Sequence, residues 1–338
     1  MIFFFSILII LFLINIRFTK LDKDYLKIEN TTIINGIFVI VVFFSHFLSY
    51  NSNFNSFDKP VITIMNIVSQ LMVATFLFYS GYGIYCKIRK DRKSYIDSFF
   101  KKRFLRVLFN FDLAVTIFYL MSICIKSNYS FSRYLLSLIG WEAVGNSNWY
   151  IFVIFIIYLS IILVFKLLEK RSDFTCLIVL TLLSFVYIYL LNIYKADYWC
   201  STLLCFVGGM WYSYYKDKID NIVLKNMLRY ILSIIILFIV FAIMYKFRSN
   251  VYIYNVMSII FVIIISIIFS CISSSNKVLT YFGKNVFWIY ILQRIPMILL
   301  KDKLNMYVYF TICFITTIVL TYIMNIVSNY IWKKISRS

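Results

Sequence analysis

Residues 33–50 read IINGIFVIVVFFSHFLSY, an uncharged run broken only by Asn35, Gly36, Ser45, His46 and Ser49. As a helix, eighteen residues rise about 27 Å, close to the ~30 Å hydrocarbon thickness of a bilayer. A helix on a soluble core has one apolar stripe, whereas this run is apolar all round. In hydrocarbon every backbone amide must be bonded internally, so the run predicts a transmembrane helix.

The same pattern recurs along the chain. Eleven spans are expected: 2–16, 33–50, 61–86, 104–125, 149–165, 174–193, 199–214, 228–245, 251–271, 286–300 and 306–331. The composition agrees, with 62% hydrophobic residues, 14% charged residues and a mean hydropathy of +0.87 over 338 residues. Soluble domains average about 25% charged. These values predict an all-α, polytopic membrane bundle. They exclude a disordered chain, a disulfide-stapled secreted domain and a soluble nucleotide-binding enzyme.

Lys and Arg are distributed unevenly between the loops. After the first span, alternate loops and the C-terminal tail hold 23 of them, the intervening loops hold 8, and Arg106, Arg229 and Arg294 fall inside spans. The positive-inside rule then puts the N-terminus outside and the C-terminus in the cytoplasm. The net charge of +20 is explained by this bias, so no nucleic-acid partner is expected. The first run lacks a basic n-region and is followed by Arg17, Lys20, Lys23 and Lys27, which marks an anchor rather than a cleaved signal. No linker, repeat or low-complexity tract divides the chain, which reads as one membrane domain. The seven Cys lie almost wholly in apolar runs without a CxxC, which points to small core residues and no metal.

Polar groups inside apolar runs are functional candidates. His46 is the single histidine, about two thirds to three quarters of the way toward the outer face of its span. It reads either as a general base, for which an imidazole is suited near neutral pH, or as a structural residue bonded to another helix. The segment KIRKDRKSYIDSFFKKRFLRVL holds eight basic residues from Lys87 to Arg103, with Arg106 a turn later. It reads as a loop that either grips a cytosolic polyanion such as coenzyme A or contacts anionic membrane lipids. Asp112 is a possible partner of Arg106 or faces a polar cavity. Ser80, Gly81 and Gly83 in FLFYSGYGIY allow either close helix packing or approach of a ligand to the backbone. In IGWEAVGNSNWYIF, Trp149 and Tyr150 read either as an interfacial belt or, with Asn beside the acid Glu142, as a sugar site. Pro296 is expected to kink the tenth span.

Four segments, taken in order, resemble the acyltransferase-3 family of integral membrane O-acyltransferases. They are Asn35-Gly36 through His46, the aromatic run ending in Ser80-Gly81-Tyr82, Arg103-Phe104-Leu105-Arg106, and Gly283-Lys284-Asn285 through Tyr290. The resemblance covers about residue 30 to the end. It departs at Asn35, where the family has a basic residue; at Leu77, where Phe is common; and at Val286 and Gln293, where Ser and His are common. Ten spans are usual in the family, so the resemblance implies that residues 1–30, with the 2–16 helix and its basic loop, are an addition to a membrane domain of residues 31–338. The resemblance implies an enzyme of the bacterial cytoplasmic membrane that moves an acyl group, most simply acetyl from acetyl-CoA, to a cell-envelope polysaccharide or lipid-linked sugar. It implies His46 as catalytic residue, with Arg103, Arg106, Ser80 and Gly81 at the donor and Asn35, Asp112, Glu142, Tyr290 and Gln293 in supporting or substrate roles. Two other readings of the chain are a glycolipid transporter or flippase, and a non-catalytic partner in polysaccharide assembly.

Overall fold

The computed structural model describes residues 1–51, 54–68, 70–127 and 129–337. In chain order its helices are α1 (Ile2–Leu13), α2 (Ile28–Tyr50), α3 (Lys59–Val68), α4 (Leu71–Lys90), α5 (Arg92–Phe99), α6 (Leu105–Cys124), α7 (Phe131–Leu138), α8 (Trp149–Leu167), α9 (Asp173–Tyr194), α10 (Leu204–Val223), α11 (Met227–Lys246), α12 (Val251–Ile268), α13 (Lys277–Lys284), α14 (Val286–Leu292), α15 (Arg294–Leu300) and α16 (Met306–Arg337). Among the described residues, eight helical segments are long and apolar enough to cross a membrane, and Ile2–Leu13 and Val286–Leu300 are shorter apolar segments. The chain is an all-α polytopic membrane protein.

The predicted spans fall on helix over most of their length, with local differences: the 2–16 span leaves helix after Leu13, and Ile16 belongs to a short strand. The 61–86 span is divided into α3 and α4. The 286–300 span breaks at Gln293 rather than at Pro296, because proline lacks an N–H and its ring clashes with the carbonyl four residues back, at Leu292. The 199–214 span starts at Leu204 and runs on to Val223, through the polar turn holding Lys216, Asp217, Lys218 and Asp220.

The basic segment after α4 is helical, not a loop. The Asp91 carboxylate accepts the Ser94 amide at 3.2 Å, which caps α5, and a π-helical turn over Phe100–Phe104 leads into α6. No Gly or Pro interrupts these residues, and Lys and Arg favour helix. Arg92 donates to the Leu168 carbonyl at 2.6 Å and the Arg171 carbonyl at 2.7 Å, so it caps the C-terminal end of α8. Sequence reading also missed a two-stranded antiparallel ribbon, β1 (Ile16–Phe18) with β2 (Ile272–Ser274), in which Arg17 faces Ser273. It ties the segment after α1 to the segment after α12.

Two helix crossings bring backbones into contact, and each is built from a reciprocal pair of glycines. A Cβ on Gly36 of α2 would land on the Leu279 carbonyl oxygen of α13, and one on Gly283 would land on the Thr32 carbonyl oxygen. Likewise Gly81 of α4 abuts the Phe206 carbonyl of α10, and Gly209 abuts that of Phe78. Without a hydrophobic drive between helices in lipid, close packing of small residues supplies the association. These crossings hold α2 and α4 at the centre of the bundle.

Candidate functional site: two cavities along α2 and α4

At the end of the bundle where α2 starts and α4 finishes, a cavity of about 500 Å³ opens between α2, α4, α10 and the π-helical turn. Lys27, Lys87, Lys90, Arg103 and Lys216 line it, with Asp24 the acid among its lining residues. Its deep end is Tyr79, Ser80 and Gly83. From Lys90 down to Ser80 the helix rises about 15 Å. A second lobe of about 450 Å³, reaching Arg89, Ser213 and Asp217, shares Asp24, Tyr82, Cys86, Lys90 and Lys216 with the first.

Lys216 is held rather than free. Its ammonium donates to Asp220 and to the Lys23 carbonyl, and it lies 4.4 Å from the centre of the Tyr25 ring. Tyr25, on the connection before α2, donates to Asp220 at 2.9 Å and meets the Tyr212 hydroxyl. Burial, with Tyr212 and Asp220 beside it, pushes the Tyr25 phenol far above the usual tyrosine range, so it stays a protonated donor. Lys216 is therefore held in place on α10, the one lining cation that this helix contributes.

At the opposite ends of the same two helices is a smaller cavity of about 180 Å³, lined by Ser45, His46, Gln70, Met72, Trp149 and Tyr290, among others. The rings of His46 and Tyr290 are 6.1 Å apart, edge to face. Gln70 accepts from the Ser201 hydroxyl, which fixes its carboxamide. Behind the cavity Arg294 donates to the Tyr50 hydroxyl at 2.7 Å and to the Asn146 carbonyl at 3.3 Å. Tyr50 is one turn beyond His46, so Arg294 pins the end of α2 that carries the imidazole.

The residues singled out from sequence divide among several places. Ser80 and Arg103 line the larger cavity, and His46 and Tyr290 the smaller. Gly81 faces α10, and Arg106 turns to α16, where it donates to the Ser328 carbonyl and to Asn329 and lies 5.2 Å over the Trp332 ring. Glu142 sits 3.9 Å from both Arg133 and Lys195. Gln293 is fully buried and donates to the Tyr290 carbonyl at 3.0 Å. Asp112 and Asn35 each bury a side-chain oxygen with no hydrogen-bond partner among the described residues. Asn35 lies on α2 between the two cavities.

Sequence reading did not select Lys27, Lys216, Gln70 or Arg294, and it took Lys90 only as one of the basic segment's residues. For Arg294 the signal was present, since it is a cation inside an apolar run. Trp149, read as interfacial, is a cavity wall. Lys216 carried no such signal, because its place depends on α10 crossing α4. Among the described residues no group of three or more His, Cys, Asp or Glu side chains converges as metal ligands would.

A polytopic bundle with a cation-lined cavity at one end and a histidine cavity at the other, both on the same pair of helices, has the layout of a membrane enzyme that joins an anionic ligand to a second substrate. A family model described as an acyltransferase domain matches residues 32–326, and the chain belongs to this acyltransferase-3 family. It is a membrane acyltransferase. No curated protein and no solved structure matches the chain.

Proposed function

We propose that this protein is an acyl-CoA-dependent O-acyltransferase of the bacterial cytoplasmic membrane, moving an acetyl group from cytosolic acetyl-CoA to a hydroxyl of a cell-envelope polysaccharide or lipid-linked sugar. The observation that carries this reading is the alignment of the two cavities. On α2, Thr31, Asn35, Val42 and His46 fall within a narrow arc at 100° per residue, and on α4 so do Met72, Phe76, Tyr79 and Gly83. One stripe thus runs from the cationic cavity to the histidine. The 23-to-8 charge bias supports the cationic end as cytosolic, where acyl-CoA is found.

In this reading Lys27, Lys87, Lys90, Arg103 and Lys216 bind the phosphates of coenzyme A, and the pantetheine arm runs inward past Ser80. Trp149 offers an aromatic face to the acceptor sugar, and Gln70 a fixed carboxamide. His46 takes the proton as the acceptor oxygen forms its bond to the acyl carbonyl carbon. The carbon–sulfur bond breaks, and the proton returns to the departing thiolate, leaving the ester and free coenzyme A. Arg294 and Tyr290 hold the imidazole in place.

Two native cysteines allow a direct test. Cys86 lines the cationic cavity and Cys124 is exposed at the other end of α6. In single-cysteine variants, a membrane-impermeant maleimide is expected to label Cys86 only in inverted vesicles and Cys124 only from the outside, with acetyl-CoA protecting Cys86. Labelling of Cys86 from outside would reverse the orientation, and absence of protection would remove the donor from this cavity.

Arg103 and Arg106 should then separate kinetically. A charge-assisted hydrogen bond contributes roughly 1.5–3 kcal/mol, so Arg103→Gln is expected to raise the donor KM about ten- to a hundredfold with kcat nearly unchanged. Arg106→Gln, whose side chain is engaged by α16, should leave the donor KM within about twofold. Donor kinetics on membranes decide it, and equal KM effects would return Arg106 to the donor site.

A further inference from the structure

The 20 residues of α11 rise about 30 Å, the thickness of the hydrocarbon layer, and Tyr230 is the one buried residue among them. The helix therefore faces lipid along its length. It starts at the end of the bundle where α10 finishes and runs back to the end that holds the histidine cavity. Lys246 in its last turn, and Arg248 just beyond, stand at the level of the lipid headgroups there. At this point a crevice of about 410 Å³ opens between α3 and the turn joining α11 to α12, lined by Asn66, Ile67, Lys246, Arg248, Ser249 and Tyr254.

No acid lines the crevice, and among the described residues neither cation is ion-paired. The dipole of α11 favours a cation at Lys246, but Arg248 lies past the end of the helix. Arg248 donates to the Tyr245 carbonyl at 3.1 Å and lies 4.2 Å over the Tyr245 ring. These contacts hold the guanidinium, which carries more donors than one such bond uses. The crevice also adjoins the site. Asn66 and Ile67 at the end of α3 form its wall, and Gln70, three residues on from Ile67, lines the histidine cavity. Three residues of chain reach at most about 10 Å.

Cations at this depth meet the phosphates of membrane lipids, and two of them without an acid match a group bearing two negative charges. A free polysaccharide has nothing that fixes an anion in the headgroup layer. A sugar joined through a diphosphate to a membrane-embedded chain does, and its first sugars then lie at the mouth of the cavity that holds His46 and Trp149. We propose that Lys246 and Arg248 bind the diphosphate of a lipid-linked sugar, so that the acceptor is a glycolipid presented to His46 from the membrane. This rests on the acyl-transfer reading above and narrows its acceptor.

The first test is binding of a radiolabelled polyprenyl diphosphate to the purified protein in neutral detergent. Wild type is expected to retain it at least about tenfold better than the matching polyprenyl alcohol, and the double variant Lys246→Gln, Arg248→Gln to lose most of that preference. The charge-keeping double variant Lys246→Arg, Arg248→Lys should retain it. Equal retention of the diphosphate by wild type and the Gln pair overturns the proposal, as does a wild type that does not tell the diphosphate from the alcohol. Full displacement by an equal amount of phosphatidylglycerol also overturns it, because the crevice would then hold ordinary anionic lipid. No acyl donor is present, so these outcomes stand whether or not acyl-CoA is used. With acetyl-CoA labelled on the acetyl group, membranes of the producing cells should pass label into the solvent-extractable lipid fraction, at least about tenfold less with the Gln pair. Label entering only non-extractable polymer overturns the glycolipid acceptor. Label entering neither fraction overturns the acyl-CoA reading instead, and leaves the binding result to decide the crevice.

Discussion

Replacing His46 with Ala or Gln is expected to lower acyl transfer at least a hundredfold while leaving the donor bound. General-base assistance typically contributes about 10²–10⁴-fold, and His46 is the only histidine in the chain, so no second imidazole can take over. The expectation is specific because of where the residue lies. It lines the small cavity with Trp149 and Tyr290, not the cationic one, and about 22 Å of α2 separates it from Thr31 at the donor end. Acetyl-CoA should therefore still protect Cys86 from maleimide in the variants, and the donor KM should stay within about twofold. The loss should appear in kcat. His46→Gln keeps a polar side chain of similar reach without a basic ring, so it removes the proton acceptor with little change in packing. Transfer that persisted at the wild-type rate in both variants would make His46 a structural residue, and would leave the acid–base role without an occupant in this cavity. Loss of Cys86 protection together with activity would point instead to a collapse of the whole stripe.

The features legible in sequence were those fixed along single helices. The uncharged run ending at His46 specified a membrane helix, and its lone imidazole was conspicuous because a titratable group is costly there. Arg103 was legible as the end of a basic segment. Crossings between distant helices were not. Gly81 and Gly83 are two residues apart and carry the same signal of small size, yet one is pressed on the Phe206 carbonyl and the other faces open space at the cationic cavity. Only the position of α10 tells them apart. Arg106 was paired with Arg103 by spacing. Arg103 lies in the π-helical turn over Phe100–Phe104, whereas Arg106 is in α6 just after it and turns to α16, more than 200 residues away in sequence. Lys216 reaches the cavity through Asp220 and Tyr25, a network assembled from two remote segments. Periodicity reports which face of a helix is apolar. It does not report which helix that face will meet.

The same contrast gives the second large effect. Gly81→Ala is expected to lower the stability of the purified protein by about 1–3 kcal/mol or more, whereas Gly83→Ala should leave it unchanged or raise it by up to ~1 kcal/mol through helix propensity. Both substitutions add one methyl group to α4, so composition and propensity cancel in the comparison. A Cβ on Gly81 falls on a backbone carbonyl oxygen of α10, which cannot rotate away as the end of a side chain would. The helices must part, and the reciprocal contact of Gly209 with the Phe78 carbonyl is then lost as well. A Cβ on Gly83 meets nothing within 4 Å. Thermal unfolding in detergent measures the difference directly, and a larger drop for Gly83→Ala than for Gly81→Ala would refute the crossing. The consequence reaches the site, because Phe76, Tyr79 and Ser80 ride on the same helix. Trimming the Phe206 ring, whose nearest carbon lies 3.2 Å from the added Cβ, leaves the main-chain carbonyl, the closest obstacle, in place. Activity should therefore fall along with stability and should not be recovered by shortening Phe206, which would identify the backbone contact itself as what registers the cationic cavity against the histidine.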